Sequence, residues 1–161
     1  MDKPILYIDM DGVVADFVNG IQHYHKTIFQ DYSGELLDQQ LDRLCQTEDC
    51  KHVFADLPFI DGALDAVKQL SQSYNIYFLS TPMWGCPESF TDKRIWLANH
   101  FGTLATKRLI LTHRKDLCIG DYLIDDRLTN GVSNFKGKHI HFGSDAYPNW
   151  SAVLHYFESI K

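Results

Sequence analysis

Ile5-Leu6-Tyr7-Ile8-Asp9-Met10-Asp11-Gly12-Val13-Val14-Ala15-Asp16 carries a short apolar run into two carboxylates at i and i+2, then a glycine. Bounded by Pro4 on one side and the acids on the other, Ile5 to Ile8 predicts a buried strand. Extended geometry puts Asp9 and Asp11 on one side of the chain, and Gly12 permits a sharp turn behind them. Carboxylates held that close raise each other's proton affinity unless a positive charge joins them. The stretch therefore asks for a cation, and a divalent one is the natural candidate. Taken alone it also fits an ordinary Asp-rich turn at a strand end.

Outward from this stretch the chain alternates short apolar strands with helices. Apolar residues at Val14, Phe17, Val18, Ile21, Tyr24 and Ile28 predict a helix within 13–29. Leu36, Leu37, Leu41 and Leu44 predict a second within 35–45, and 48–56 a third, short one. After Asp61-Gly62 come a helix over 63–71, a strand at Ile76-Tyr77-Phe78-Leu79 and a helix over 88–101. Leu109-Ile110-Leu111, Tyr122-Leu123-Ile124 and His139-Ile140-His141-Phe142 read as further strands, and 152–160 as a closing helix. This order predicts an α/β fold, a parallel sheet covered by helices. The strandless stretch 16–60 reads as a small helical cap inserted after the first strand, leaving 1–15 and 61–161 as the core domain.

Three of the strands end in polar clusters: Asp9/Asp11, Ser80/Thr81 and Asp125/Asp126. Ligands of open α/β sheets bind at the carboxyl ends of the strands. If these three lie side by side and parallel, the clusters meet in one pocket. Mg²⁺ favours a few oxygen ligands and keeps several waters. Asp9 and Asp125 suit it through their side chains, Asp11 through its backbone carbonyl. A phosphoryl group then fits between the metal, the Ser80 hydroxyl, backbone N–H groups and one cation, for which Lys115 is best placed. So held, phosphorus is open to attack by Asp9. Asp11 can give a proton to the leaving oxygen and later take one from water.

Asp9-Met10-Asp11-Gly12-Val13, Ser80-Thr81-Pro82, Lys115 and Leu123-Ile124-Asp125-Asp126-Arg127 resemble, in order, the four motifs of the haloacid dehalogenase (HAD) phosphatase superfamily. The long first motif through Phe17, the Pro after Thr81 and the Asp-Asp-Arg ending are similar to the 5'(3')-deoxyribonucleotidase family. The resemblance implies a HAD-like, Rossmann-type core, Asp9 as nucleophile and Asp11 as acid/base. It puts Ser80 and Lys115 on the phosphate, and makes Asp9, the Asp11 carbonyl and Asp125 the Mg²⁺ ligands with Asp126 in support. It also implies Phe17 in the substrate pocket, and Thr81, Pro82, Met83 and Trp84 at its rim. The chain departs from the pattern in reading Ser-Thr-Pro where the animal enzymes have Thr-Ser-Pro. It also carries no Trp between 16 and 60.

Composition agrees with an enzyme of small ligands. The 161 residues are 45% hydrophobic and 13% aromatic, enough for a real core. The net charge of -6 argues against a nucleic-acid polymer, and so against a nuclease, and against an anionic membrane. The N-terminus lacks a signal-peptide pattern and no apolar run approaches the ~20 residues of a membrane helix, so the expected setting is the cytoplasm. The four cysteines are then expected as free thiols. Cys45, Cys50 and His52 match no zinc spacing. The expected partner is a small phosphate ester, most readily a nucleoside monophosphate, acted on by a monomer or homodimer. A sugar phosphatase, or a module that binds phosphate without turnover, are the alternatives.

Overall fold

The computed structural model describes residues 3–24, 47–48 and 51–160, without the side chains of residues 22–24. The expected helix at 35–45, the end of the helix expected within 13–29, and Cys45 and Cys50 lie outside these. Strand β1, Ile5–Ile8, is followed by helix α1, Phe17–Tyr24. Helix α2, Ala63–Leu70, leads to β2, Asn75–Ser80, and α3, Glu88–Phe101, to β3, Leu109–Leu111. Strands β4, Tyr122–Asp125, and β5, Lys138–His141, precede α4, Trp150–Ser159. Of the segment expected as a short helix at 48–56, the described residues form a 3₁₀ turn at Val53–Ala55.

The five strands form one sheet in the order β3-β2-β1-β4-β5, every pair parallel. This is the HAD-like, Rossmann-type architecture. The central β1 has β2 on one side and β4 on the other, so the three strands that end in Asp9, Ser80 and Asp125 are neighbours. Leu6, Ile8, Phe78, Leu79, Leu123 and Ile124 are fully buried, as expected of strands covered on both faces. Ile21, Val53, Phe54 and Leu57 belong to the same buried cluster as the sheet. The described parts of 16–60 thus share the core.

Loop chemistry sets the strand ends. The Met10 carbonyl accepts from the N–H groups of Val13, Val14 and Ala15, which coils the chain tightly after Asp9. Gly12 makes that turn at φ +76°, where a Cβ would collide with the Asp126 carboxylate. The Asp16 carboxylate accepts from Asn19 N–H at 3.1 Å and caps α1. Asp16 N–H donates to the Pro58 carbonyl and Ile60 N–H to that of Val14, so the chain leaves and re-enters the core along one paired stem. From α4, the Trp150 indole N–H reaches the Val13 carbonyl at 2.8 Å and braces the same loop.

Candidate active site

The sheet brings residues from all four motifs to one pocket. A cavity of about 230 Å³ opens at the carboxyl ends of β2, β1 and β4; Asp9, Asp11, Ser80, Lys115 and Asp125 form its floor. Asp9 follows β1, and its N–H donates to Ile124 O at 2.9 Å, which levels the ends of β1 and β4. Ser80 ends β2 and is buried. Thr81 turns its hydroxyl to the Thr112 carbonyl at 2.9 Å, so it ties β2 to the segment after β3 while lining the pocket.

Lys115 is buried on the 3₁₀ turn after β3. Its ammonium lies 3.0 Å from Asp9 Oδ1 and donates to Asp125 Oδ2 at 2.5 Å. Its loop is anchored by Lys115 N–H to Asn130 O at 2.9 Å and by the two-pronged Arg114–Asp116 ion pair. Burial pulls the ammonium toward neutrality, but Asp9 and Asp125 outweigh it and hold its pKa above the usual lysine value.

A second buried lysine, Lys93, supports the floor from behind, on α3. It donates to Asp11 Oδ2 and, at 3.0 Å, to Ser80 Oγ. The ammonium also lies 4.9 Å from the centre of the Phe54 ring. Sequence reasoning missed this residue. Ser89, Lys93 and Leu97 recur at i+4 along α3 and all are buried, so Lys93 is a charge on a core-facing stripe that the sequence alone does not mark.

The acids are crowded. Oxygens of Asp9, Asp125 and Asp126 lie within 4.8 Å of one another. Burial, then the Asp9 charge, pushes Asp125 and Asp126 each up to about 7. Burial also raises Asp11, against the pull of Lys93. Asp11 Oδ1 and Asp126 Oδ1 are buried without a hydrogen-bond partner. Four carboxylates facing two ammonium groups and an array of hard oxygen donors fit a divalent cation such as Mg²⁺.

Above the floor the walls are aromatic. Phe17 and Phe54 stack at 5.2 Å and 14° and both line the pocket. Trp84 is 81% exposed at the rim, its ring 5.9 Å from that of His113. Phe59, another aromatic of the 16–60 stretch, instead packs on Trp96 and Phe101.

A family profile described as 5' nucleotidase, deoxy (pyrimidine), cytosolic type C protein matches residues 3–151. The chain belongs to this family. A Vibrio phage KVP40 protein assigned by name to the 5'(3')-deoxyribonucleotidases is 42% identical to it over 158 residues, covering 98% of this chain and 86% of that one. The human 5'(3')-deoxyribonucleotidase, cytosolic type, is 27% identical over 91% of this chain and 77% of its own. Among solved structures, a Bacillus subtilis HAD hydrolase bound to magnesium superposes with a TM-score of 0.65, covering 97% of this chain and 99% of that one. At 11% identity that likeness concerns the fold. For this deoxyribonucleotidase family member, no helix among the described residues is long and apolar enough to cross a membrane.

Proposed function

We propose that this chain is a Mg²⁺-dependent phosphomonoesterase that hydrolyses (deoxy)nucleoside monophosphates through an aspartyl-phosphate on Asp9. One observation carries the reading: in a member of the deoxyribonucleotidase family, four aspartates and two buried lysines meet at the ends of three adjacent parallel strands. The phosphoryl group sits against the Ser80 hydroxyl and the Lys115 ammonium. The Asp9 carboxylate attacks phosphorus; the bond from phosphorus to the ester oxygen breaks, and that oxygen takes a proton from Asp11. Burial favours the protonated Asp11 that this step needs. Asp11, now ionised, takes a proton from water, which attacks phosphorus, breaks its bond to Asp9 and releases phosphate. Lys93 keeps the Asp11 carboxyl and the Ser80 hydroxyl in register. The Asp9 and Asp125 carboxylates and the Asp11 carbonyl, with Asp126 in support, are the Mg²⁺ ligands of this reading. The bound ion supplies positive charge that offsets the phosphoryl oxygens and lets one anion approach another.

The stretch 16–60 acts as the cap that selects substrate, and 1–15 with 61–161 as the catalytic core. The Phe17–Phe54 wall favours a flat base over a polyol. Trp84 contributes a further aromatic face at the mouth. The setting is cytoplasmic, which suits the free thiol of Cys118. The test is phosphate release from dTMP, dUMP, other nucleoside monophosphates and common sugar phosphates, with and without Mg²⁺. Release from nucleotides is expected to exceed that from sugars, and Asp9→Asn to lower it at least ~10³-fold. A preference for sugar phosphates overturns the substrate class. Nucleotide binding without turnover overturns the enzyme.

A further inference from the structure

His139 and His141 alternate on β5 and so project to the same face. Their rings stack at 5.4 Å and 25°. Neither touches the pocket, yet each reaches across to the chain of β4. His139 Nε2 lies 3.1 Å from the Asp125 carbonyl and His141 Nε2 3.1 Å from the Asp126 carbonyl. A carbonyl oxygen only accepts, so both contacts require the proton on Nε2. The Asp125 carbonyl also accepts from Phe142 N–H at 3.0 Å.

The Asp126 carbonyl and the Arg127 N–H belong to one rigid peptide plane. That N–H donates to Asp125 Oδ1 at 2.9 Å. The plane is therefore clamped at both ends, by the His141 ring at its oxygen and by the Asp125 carboxylate at its hydrogen. Rotation about the plane would release both bonds and swing Asp125 Oδ1 away from its donor. We propose that His139 and His141 are positioning residues: donating to successive carbonyls, they lock the Asp125-Asp126-Arg127 backbone and so aim the two carboxylates at the Mg²⁺ position. Edge-strand histidines thereby act on the site through backbone alone. Outer partners of this kind are worth about 10–100-fold in metal affinity or activity.

The inference rests on the metal-dependent reading above, and the test separates the two. Wild type, His141→Phe and His141→Gln are compared, with folding checked by near-UV circular dichroism. Phe keeps a stacking ring without a donor; Gln replaces the donor at the reach of Nε2. Mg²⁺ affinity is measured by calorimetry without substrate, and kcat and KM for dTMP are measured at saturating Mg²⁺. His141→Phe is expected to weaken Mg²⁺ binding about tenfold with KM little changed, and His141→Gln to restore most of the loss. The inference is overturned if folded His141→Phe binds Mg²⁺ as wild type does, or if His141→Gln loses as much as His141→Phe. Should His141→Phe not fold, His139→Phe and His139→Gln are compared in the same way; if neither Phe variant folds, the pair serves the fold and the inference falls. Wild type that binds Mg²⁺ but releases no phosphate would sink the functional reading while leaving this comparison intact.

Discussion

Lys93 is the residue whose role is most sharply testable, because one ammonium serves both the Asp11 carboxyl and the Ser80 hydroxyl. Met in its place keeps the length and apolar stem but frees Asp11 and Ser80 to turn. Lys93→Met is expected to lower kcat about 10²-fold or more, with a smaller change in KM, measured by steady-state phosphate release. Gly12 is constrained in another way. Ala at φ +76° costs ~1–2 kcal/mol in backbone conformation, and its methyl would press on the Asp126 carboxylate. Gly12→Ala should melt at lower temperature and lose roughly 10²-fold in kcat/KM, since displaced acids lose alignment. At this scale the sequence was legible where a residue type is rare in its context. Two acids after an apolar run, and an Asp-Asp pair after another, stand out. A lysine in an otherwise ordinary helix does not, and its burial depends on which face of α3 meets the sheet.

Elements divide the work between strands that carry chemistry and helices that hold loops still. Strand β1 places Asp9 and Asp11 by ending where it does, and α4, far away in sequence, braces the loop behind them through Trp150. Trp150→Phe leaves the buried Val13 carbonyl without its donor, at a cost of ~1–3 kcal/mol, to be read from urea denaturation. The strands and most helices were visible as apolar runs and 3.6-residue spacing; α3 and β3 fall on the residues the pattern picked out. Where a helix is expected at 48–56, the described residues form the 3₁₀ turn Val53–Ala55, whose Val53 and Phe54 are buried in the core, with the Phe54 ring under Lys93 of α3 and the Cys86 thiol against the Lys51 carbonyl. Spacing alone does not report such contacts. Nor did the alternation of His139 and His141 disclose that both point at backbone carbonyls of the neighbouring strand.

The whole molecule carries an electrostatic load that pH should expose. Asp125 and Asp126 stand at about 7 in the fold, whereas an aspartate in an unfolded chain titrates near ~3.9. Between those values the folded chain keeps protons that the unfolded chain has shed, so the contribution of these groups is full at low pH and is lost as pH rises through about 7. In chelator, the protein is expected to melt at lower temperature at pH 8 than at pH 5.5, and Mg²⁺ to reverse the loss at pH 8. Asp126→Asn should flatten the slope; equal melting temperatures at the two pH values would refute the account. The strand order has a different consequence. Because every pairing is parallel, each neighbour of β1 is reached only by a crossover, and Asp9 meets Asp125 across more than a hundred residues. Such distant pairings close late and slowly as a chain folds. Catalysis is therefore a readout of completed folding: during refolding from denaturant, phosphate release should trail the return of helical signal and coincide with the final docking of β4 and β5.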